Sequence, residues 1–484
     1  MLKARSNKNA TVWLWLALLS VTGFFLLAPL PAMSSDPDSV DAPGFNIDSR
    51  WPSPAKSAHD GGGHPMPPRP MRFILKASVD SSGVHGNANS YGPSISADGR
   101  YVAFVSRATN LVVGDTNGHL DVFVHDRITG ATTLASVDSS GRQSDDDSWL
   151  ASISADGRCV AFESVATNLV PGDTNRLNDV FVHDRTTGTT SRVSVSSSGA
   201  QGYGDSFHPS ISADGRHVAY QSSATNLVPY DTNGYWDVFV HDRLTGGTAR
   251  VSVGPWGRQG DFSSGSPSIS ADGRFIAFDS YAANLVPGDT NGQTDVFVHD
   301  RFTGTTTLVS VDSAGLQGNY ISDSSSISAD GGFVAFVSGA SNLVHADTNE
   351  NWDVFVHDRV TGSTTRVSVD SSGVEGDDAS VDPSISSDGR FVAFKSWAAN
   401  LVLNDRNRTT DIFAHDRVTG TTTCASVGLN GYHASDGTHS PSISAQGLFV
   451  AFNSPANNLV PEGQEYIEDV FVQGFRGPFD AVAE

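Results

Sequence analysis

The sequence is short of cysteine. It has two, Cys159 and Cys424, in 484 residues. They fall at different points of the repeat described below, several copies apart, and read as separate small residues rather than as a bridge. A chain of this size buries enough surface to fold without disulfides. Basic residues are also scarce: 30 Lys and Arg face 53 Asp and Glu, for a formal charge of −23. Such a surface repels nucleic acid and anionic membrane. Glutamate is scarcer still, seven of the 53 acids, so aspartate carries nearly all the negative charge. Aspartate belongs to turns and to hard-cation sites. The catalytic motifs that can be sought by spacing are missing: there is no Gly-x-Ser-x-Gly, no His-Glu-x-x-His, no phosphate loop and no cysteine pair at metal spacing.

What the sequence does have is one unit written seven times. The Ile of a Ser-Ile-Ser recurs at Ile95, Ile153, Ile211, Ile269, Ile327, Ile385 and Ile443, always 58 residues apart. A fixed period of that length marks a repeat architecture. In the first copy four β-type runs stand out, at 93–96, 101–106, 121–126 and 132–138. Ala97-Asp98-Gly99 joins the first pair and Arg127-Ile128-Thr129-Gly130 the last, both with glycine where a hairpin must close. The second and third runs (YVAFVS, DVFVHD) are apolar on both faces, as strands are between two other layers. The unit shows no 3.6-residue pattern. Four antiparallel strands per repeat, covered on both sides, describe a propeller blade. The class is therefore all-β, a single seven-bladed β-propeller filling residues 71–477. Residues 73–80 (FILKASVD) match a fourth strand but precede the first full unit, and the seventh unit stops after its third strand at 469–472. The early strand is expected to complete the last blade, which removes an open edge.

Residues 1–34 begin with Lys3, Arg5 and Lys8, continue into an apolar run over 11–30 and reach Ala32-Met33-Ser34. They read as a signal peptide, with an uncleaved anchor as the alternative. Without them the charge is −26. Residues 35–70, rich in Pro, Gly, Ser and Asp, read as a flexible linker, and 478–484 as a tail.

Two repeated motifs invite a chemical reading. The long loop between second and third strands carries Asp-x-Asn-x-x-x-Asp in six copies: Asp115, Asn117, Asp121; Asp173, Asn175, Asp179; Asp231, Asn233, Asp237; Asp289, Asn291, Asp295; Asp347, Asn349, Asp353; and Asp405, Asn407, Asp411. Alternating oxygen ligands suit a weak structural Ca²⁺ site; an Asx-turn explains the same residues without a metal. His-Asp-Arg ends the third strand in six copies, after Val in five and after Ala414 in the sixth, with His125, His183, His241, His299, His357 and His415. A catalytic centre needs one asymmetric constellation, whereas every blade makes this pair. The expected role is Asp and Arg bonding across the following turn, with His packed between blades.

Ser-Ala-Asp-Gly-Arg-x-Val-Ala-Phe followed by Asp-Val-Phe-Val-x-Asp-Arg-x-Thr-Gly resembles the WD40-like (PD40) repeat of TolB-like β-propellers over residues 71–475. The resemblance implies an exported propeller, periplasmic, at the cell surface or secreted, that binds other macromolecules. The expectation is a monomeric, non-enzymatic binding or scaffold protein with no cofactor beyond Ca²⁺. Its partner would be a protein or an extracellular glycan on the acidic loop face, with no nucleic acid, and membrane contact only through an uncleaved N-terminal segment. The alternative is a propeller hydrolase or lyase acting on extracellular glycan or peptide. Specificity belongs in the segments that differ most between copies, 142–147, 255–266, 317–324 and 432–440, because loops on a rigid scaffold carry function.

Overall fold

Turn chemistry sets each blade. Ser96 Oγ donates to Asp98 Oδ1 (2.7 Å) and accepts the Tyr101 amide (2.9 Å), so Ser-Ala-Asp-Gly closes the first hairpin on its own side chains. The computed structural model describes residues 72–461 and 467–475. They form seven four-stranded antiparallel sheets. Blade one is Ser90–Ile95, Tyr101–Ser106, Asp121–Asp126 and Thr132–Leu134, in that spatial order. The segments read as signal peptide, linker and tail lie outside the described residues. Among the described residues no helix is long and apolar enough to cross a membrane.

The last sheet joins both ends of the propeller. Arg72–Lys76 pairs antiparallel with Asp469–Phe475, Phe73 opposite Gly474 and Lys76 opposite Phe471. The expected closure is present, shifted: the third strand runs on to Phe475, and residues 77–80 lie past the pairing. The fourth strands are likewise shorter than their apolar pattern. In blade one the strand ends at Leu134; one more backbone bond follows, Ala135 N to Val122 O (2.7 Å), before Ser136 turns its hydroxyl onto the Asp121 carboxylate. First strands are longer, beginning at Ser90, and carry a bulge: residues 92, 150, 208, 266, 324, 382 and 440 all have positive φ.

The core lies between blades. Each of seven apolar clusters joins two neighbours, as Val122 and Val124 of blade one do with Val160, Phe162 and Phe181 of blade two. The cluster of Ala451, Val470 and Val472 with Val102, Phe104 and Phe123 closes the circle. Burying each such phenylalanine contributes roughly 1.5–3 kcal/mol. First strands touch one another and line the channel, and fourth strands lie outermost. The amide of Ala97 donates to Ala155 O, Ala155 to Ala213, Ala213 to Ala271, Ala271 to Ala329, Ala329 to Ser387, Ser387 to Ala445 and Ala445 back to Ala97.

A second contact locks neighbours. Gly331 of blade five, at φ +71°, lies against the Phe275 ring of blade four, and Arg359 covers that ring at 4.7 Å. An added Cβ would sit 2.2 Å from Phe275 Cδ2. Gly362, in the other hairpin of blade five, has φ +75° and open space. Gly331→Ala should therefore cost on the order of 2–4 kcal/mol, and Gly362→Ala only about 1–2 kcal/mol, in denaturant unfolding. Equal costs would mean that backbone conformation alone, and not blade contact, requires this glycine.

Candidate functional site

The long second-to-third loops and the fourth-to-first loops share one face, tied by contacts such as Leu120 N to Asp147 Oδ1 (2.8 Å) and Asn117 Nδ2 to Ser144 O (3.0 Å). Here the Asp-x-Asn-x-x-x-Asp residues meet, with the asparagine engaged in an Asx-turn and the two aspartates close to one another. Asn117 Oδ1 accepts the His119 amide (3.0 Å), an Asx-turn, and its Nδ2 donates to Asp121 Oδ2 (2.8 Å). Asn175, Asn233, Asn291, Asn349 and Asn407 repeat this arrangement. The second aspartate (Asp121, Asp179, Asp237, Asp295, Asp353, Asp411) is fully buried at the head of the third strand. One of its oxygens takes the fourth-strand serine, Ser136 in blade one and Ser194 in blade two.

Two acids in each loop approach one another, and burial raises the Asp115, Asp121, Asp231, Asp237, Asp289, Asp347, Asp353 and Asp405 carboxyls; Asp295 is pushed up to about 6. A like-charged buried pair calls for a counter-charge. Three blades supply it from the fourth strand. Arg192 reaches Asp173 and Asp179 (both 3.3 Å), Arg250 reaches Asp231 (3.3 Å) and Asp237 (3.1 Å), and Arg366 reaches Asp347 and Asp353 (both 3.1 Å). In the last blade Lys76 meets Asp469 at 2.6 Å. In blade six the basic group is His433, from the fourth-to-first loop, 3.1 Å from Asp411 and 3.6 Å from Asp405. Blades one and four have Leu134 and Leu308 at the arginine position, and among the described residues no basic side chain reaches their pairs. Gln143 Nε2 donates to Asp115 (3.2 Å); Gln317 Nε2 donates to Asp289 (2.8 Å) and Asp295 (2.9 Å).

Two groups of side chains have the composition of metal ligands: Asp411, Cys424 and His433, and, more exposed, His119, Asp146 and Asp147. Cys159 and Cys424 are both buried, in blades two and six.

The Asp and Arg of Val-His-Asp-Arg do not pair with each other across the turn. Asp126 takes both ends of Arg100 (2.9 and 2.7 Å), because the strand register sets Asp126 opposite Tyr101. That guanidinium holds Asp126 well below the usual carboxylate range. Arg127 instead covers Phe449 of the neighbouring blade at 4.4 Å. The histidines are buried against threonine hydroxyls, His299 at 3.0 Å from Thr306, and burial lowers it to about 4.

Sequence reasoning missed two sets of residues. The first is at the penultimate position of the second strand, near the channel: Val105, Glu163, Gln221, Asp279, Val337, Lys395 and Asn453. Glu163 Oε2 accepts the His208 amide of the next blade (2.9 Å), Gln221 does the same for Ser266 (2.9 Å), and Lys395 pairs with Asp382 (3.0 Å). Burial raises Asp323, beside Asp279, to about 6. The available signal was a polar residue in an otherwise apolar strand, changing identity from copy to copy. The second is aromatic. Tyr235, Phe262 and Tyr281, from three loops of blades three and four, form a cluster while 37–47% exposed: Tyr235 stacks on Phe262 at 4.6 Å, and Tyr281 meets Phe262 at 4.9 Å with its ring tilted by 52°. Tyr320 follows against Trp352 at 6.1 Å.

No protein-family model matches the chain, and no curated protein matches it. Solved structures do. An oligogalacturonate lyase in complex with manganese is 12% identical, over 84% of this chain and 98% of that one, with a TM-score of 0.50. TolB from Acinetobacter baumannii is 15% identical over 69% of this chain, with a TM-score of 0.38. The match spans 62% of the length of that TolB. A prolyl endopeptidase is 13% identical over 76% of this chain and 46% of that one, with a TM-score of 0.47. At these identities the likeness is one of fold: the chain is a seven-bladed β-propeller.

Glu163 yields a test of the channel-side set. Burial pushes its carboxyl from 4.5 up to about 7. Between those values the folded protein keeps a proton that the unfolded chain has released. This group's contribution to stability therefore falls as pH rises through that window and stays low above it. Glu163→Gln, which copies Gln221, should stabilise the protein at pH 8 by on the order of 1–3 kcal/mol and leave it unchanged near pH 4. Melting curves of the two proteins that stay parallel from pH 4 to 8 would refute this.

Proposed function

We propose that this is a non-enzymatic binding protein acting outside the cytoplasm, which holds an extended, basic protein segment on its long-loop face. The observation that carries the reading is the exposed Tyr235–Phe262–Tyr281 cluster on that face. Stacked aromatics left in water mark interaction sites, and they attract lysine and arginine through the ring faces. The same face bears Asp145, Asp146, Asp147, Asp261, Asp377 and Asp378, which attract the same partner and repel a polyanion. An extracellular glycan is the second reading, favoured by the same flat rings. The non-enzymatic assignment is supported by the use of the repeated acids: they serve hairpins, Asx-turns and blade-internal ion pairs.

Within this reading, Ca²⁺ binds where the protein provides no cation of its own. We place it at Asp115 and Asp121 of blade one and at Asp289 and Asp295 of blade four, with affinity on the order of 10⁻⁴–10⁻³ M. In the other blades Arg192, Arg250, Arg366, Lys76 and His433 stand beside the acids.

Binding of lysine- and arginine-rich peptides and of neutral oligosaccharides, measured by calorimetry, tests the partner. Tyr235→Ala and Phe262→Ala should each weaken peptide binding on the order of 30- to 1,000-fold, and salt should weaken it further. Tight binding of a neutral sugar would select the glycan, and turnover of either ligand would make the protein an enzyme. For calcium, the melting temperature should rise by a few degrees between chelator and millimolar Ca²⁺ at matched ionic strength. In Leu134→Arg/Leu308→Arg, which copies blades two, three and five, that rise should vanish. A wild-type melt indifferent to Ca²⁺ would remove these sites.

A further inference from the structure

We propose that blade six holds one zinc ion, bound by Asp411, Cys424 and His433 with Asp405 as the fourth ligand. The inference begins with two departures from the repeat that meet at one point. At the position of Leu134, Arg192, Arg250, Leu308 and Arg366, blade six has Cys424. At the position of Gln143, Gln201, Gln259, Gln317 and Glu375 it has His433. Elsewhere these positions carry a basic or apolar side chain with an amide or carboxylate, or, in the blade closed by the N-terminal strand, Lys76 with His85; blade six alone pairs the histidine with a cysteine. Here they bring a thiol and an imidazole to the same carboxylate pair.

Three of these ligands are spaced as in a coordination shell, and Asp405 stands beside the third, His433. His433 Nδ1 lies 3.1 Å from Asp411 Oδ2, 3.6 Å from Asp405 Oδ1 and 3.8 Å from Cys424 Sγ. The Asp411, Cys424 and His433 ligand atoms all lie within 4.8 Å of one another. A tetrahedral zinc with bonds of about 2.0–2.3 Å sets its N, O and S ligands roughly 3.4–3.6 Å apart. The thiolate and imidazole select zinc over calcium, which takes oxygen. The outer contacts are also in place: Asn407 Nδ2 donates to Asp411 Oδ2 (2.7 Å), and Ser426 Oγ holds the other oxygen of that carboxylate.

The ligands come from four segments of one blade: the long loop, the third strand, the fourth strand and the fourth-to-first loop. Cys424 and Asp411 are buried, and the His433 side chain is 14% exposed. Four protein ligands in a closed pocket make a structural site rather than a catalytic one. The ion clamps the rim of the blade next to the one that closes the ring. Binding displaces the thiol proton of Cys424.

The full chain, loaded with zinc and dialysed against metal-free buffer, should retain one zinc per chain by mass spectrometry. Loaded with cobalt, it should show thiolate-to-cobalt charge-transfer absorption. Cys424→Leu and His433→Gln install residues that blades one and four carry at these positions, so both variants should keep the β-sheet circular dichroism. Each should lose the retained zinc and the cobalt band, while Cys159→Ser keeps both. A wild-type chain that retains no zinc overturns the proposal and leaves His433 as the counter-charge of its blade. Zinc retained equally by Cys424→Leu/His433→Gln also overturns it.

Discussion

Everything in this molecule depends on closing a circle of seven equal steps. The seven inter-blade amide bonds, Ala97 to Ala155 and onward until Ala445 returns to Ala97, run in one direction and meet without a gap. A second circuit lies beside it. Ser94 Oγ accepts the Ile153 amide, Ser152 that of Ile211, and so on to Ser442 and Ile95. Closure in the last blade requires the strand at 72–76. Equal steps demand equal blades, which is why the 58-residue spacing admits no insertion and why the glycine of each blade's first hairpin meets the aromatic or equivalent side chain of its neighbour.

That uniformity makes departures informative. The buried aspartate at the head of the third strand is a shared design element, paired with a second in six blades, and the blades differ in how they neutralise it: arginine in three, lysine from the N-terminal strand in one, histidine with cysteine in another, and only neutral side chains in blades one and four. The acid excess is therefore not a diffuse coat. Much of it is organised into pockets at the heads of third strands, where burial makes charge expensive and each counter-charge specific.

The long-loop face combines these pockets with the aromatic stack of blades three and four, while the opposite face is occupied by hairpins whose Asp and Arg side chains bond one another. An asymmetric ligand is read by an asymmetric surface, and only the loop face varies enough from blade to blade to provide one.

The sequence by itself determined the blade, the blade number, the closure and the sharing of a face by the two loop sets. Each rests on local chemistry or on counting: Asp-Gly turns, two-sided apolar strands, a constant period, an unpaired strand at each end. It also carried the Asx-turn alternative for Asp115-x-Asn117, since an asparagine two residues before a free amide bonds it wherever the loop goes. What only the tertiary structure decided is which residues meet across strands. Asp126 was written beside Arg127 and binds Arg100, because antiparallel register outranks adjacency. Leu134, Arg192 and Cys424 share one position of the fourth strand, and only the sheet sets it against the acids of the long loop. Tyr235, Phe262 and Tyr281 come from three separate loops and join only where neighbouring blades bring those loops side by side. Periodicity fixes what each blade is made of; contacts between loops depend on the packed geometry of the ring, which no local pattern encodes.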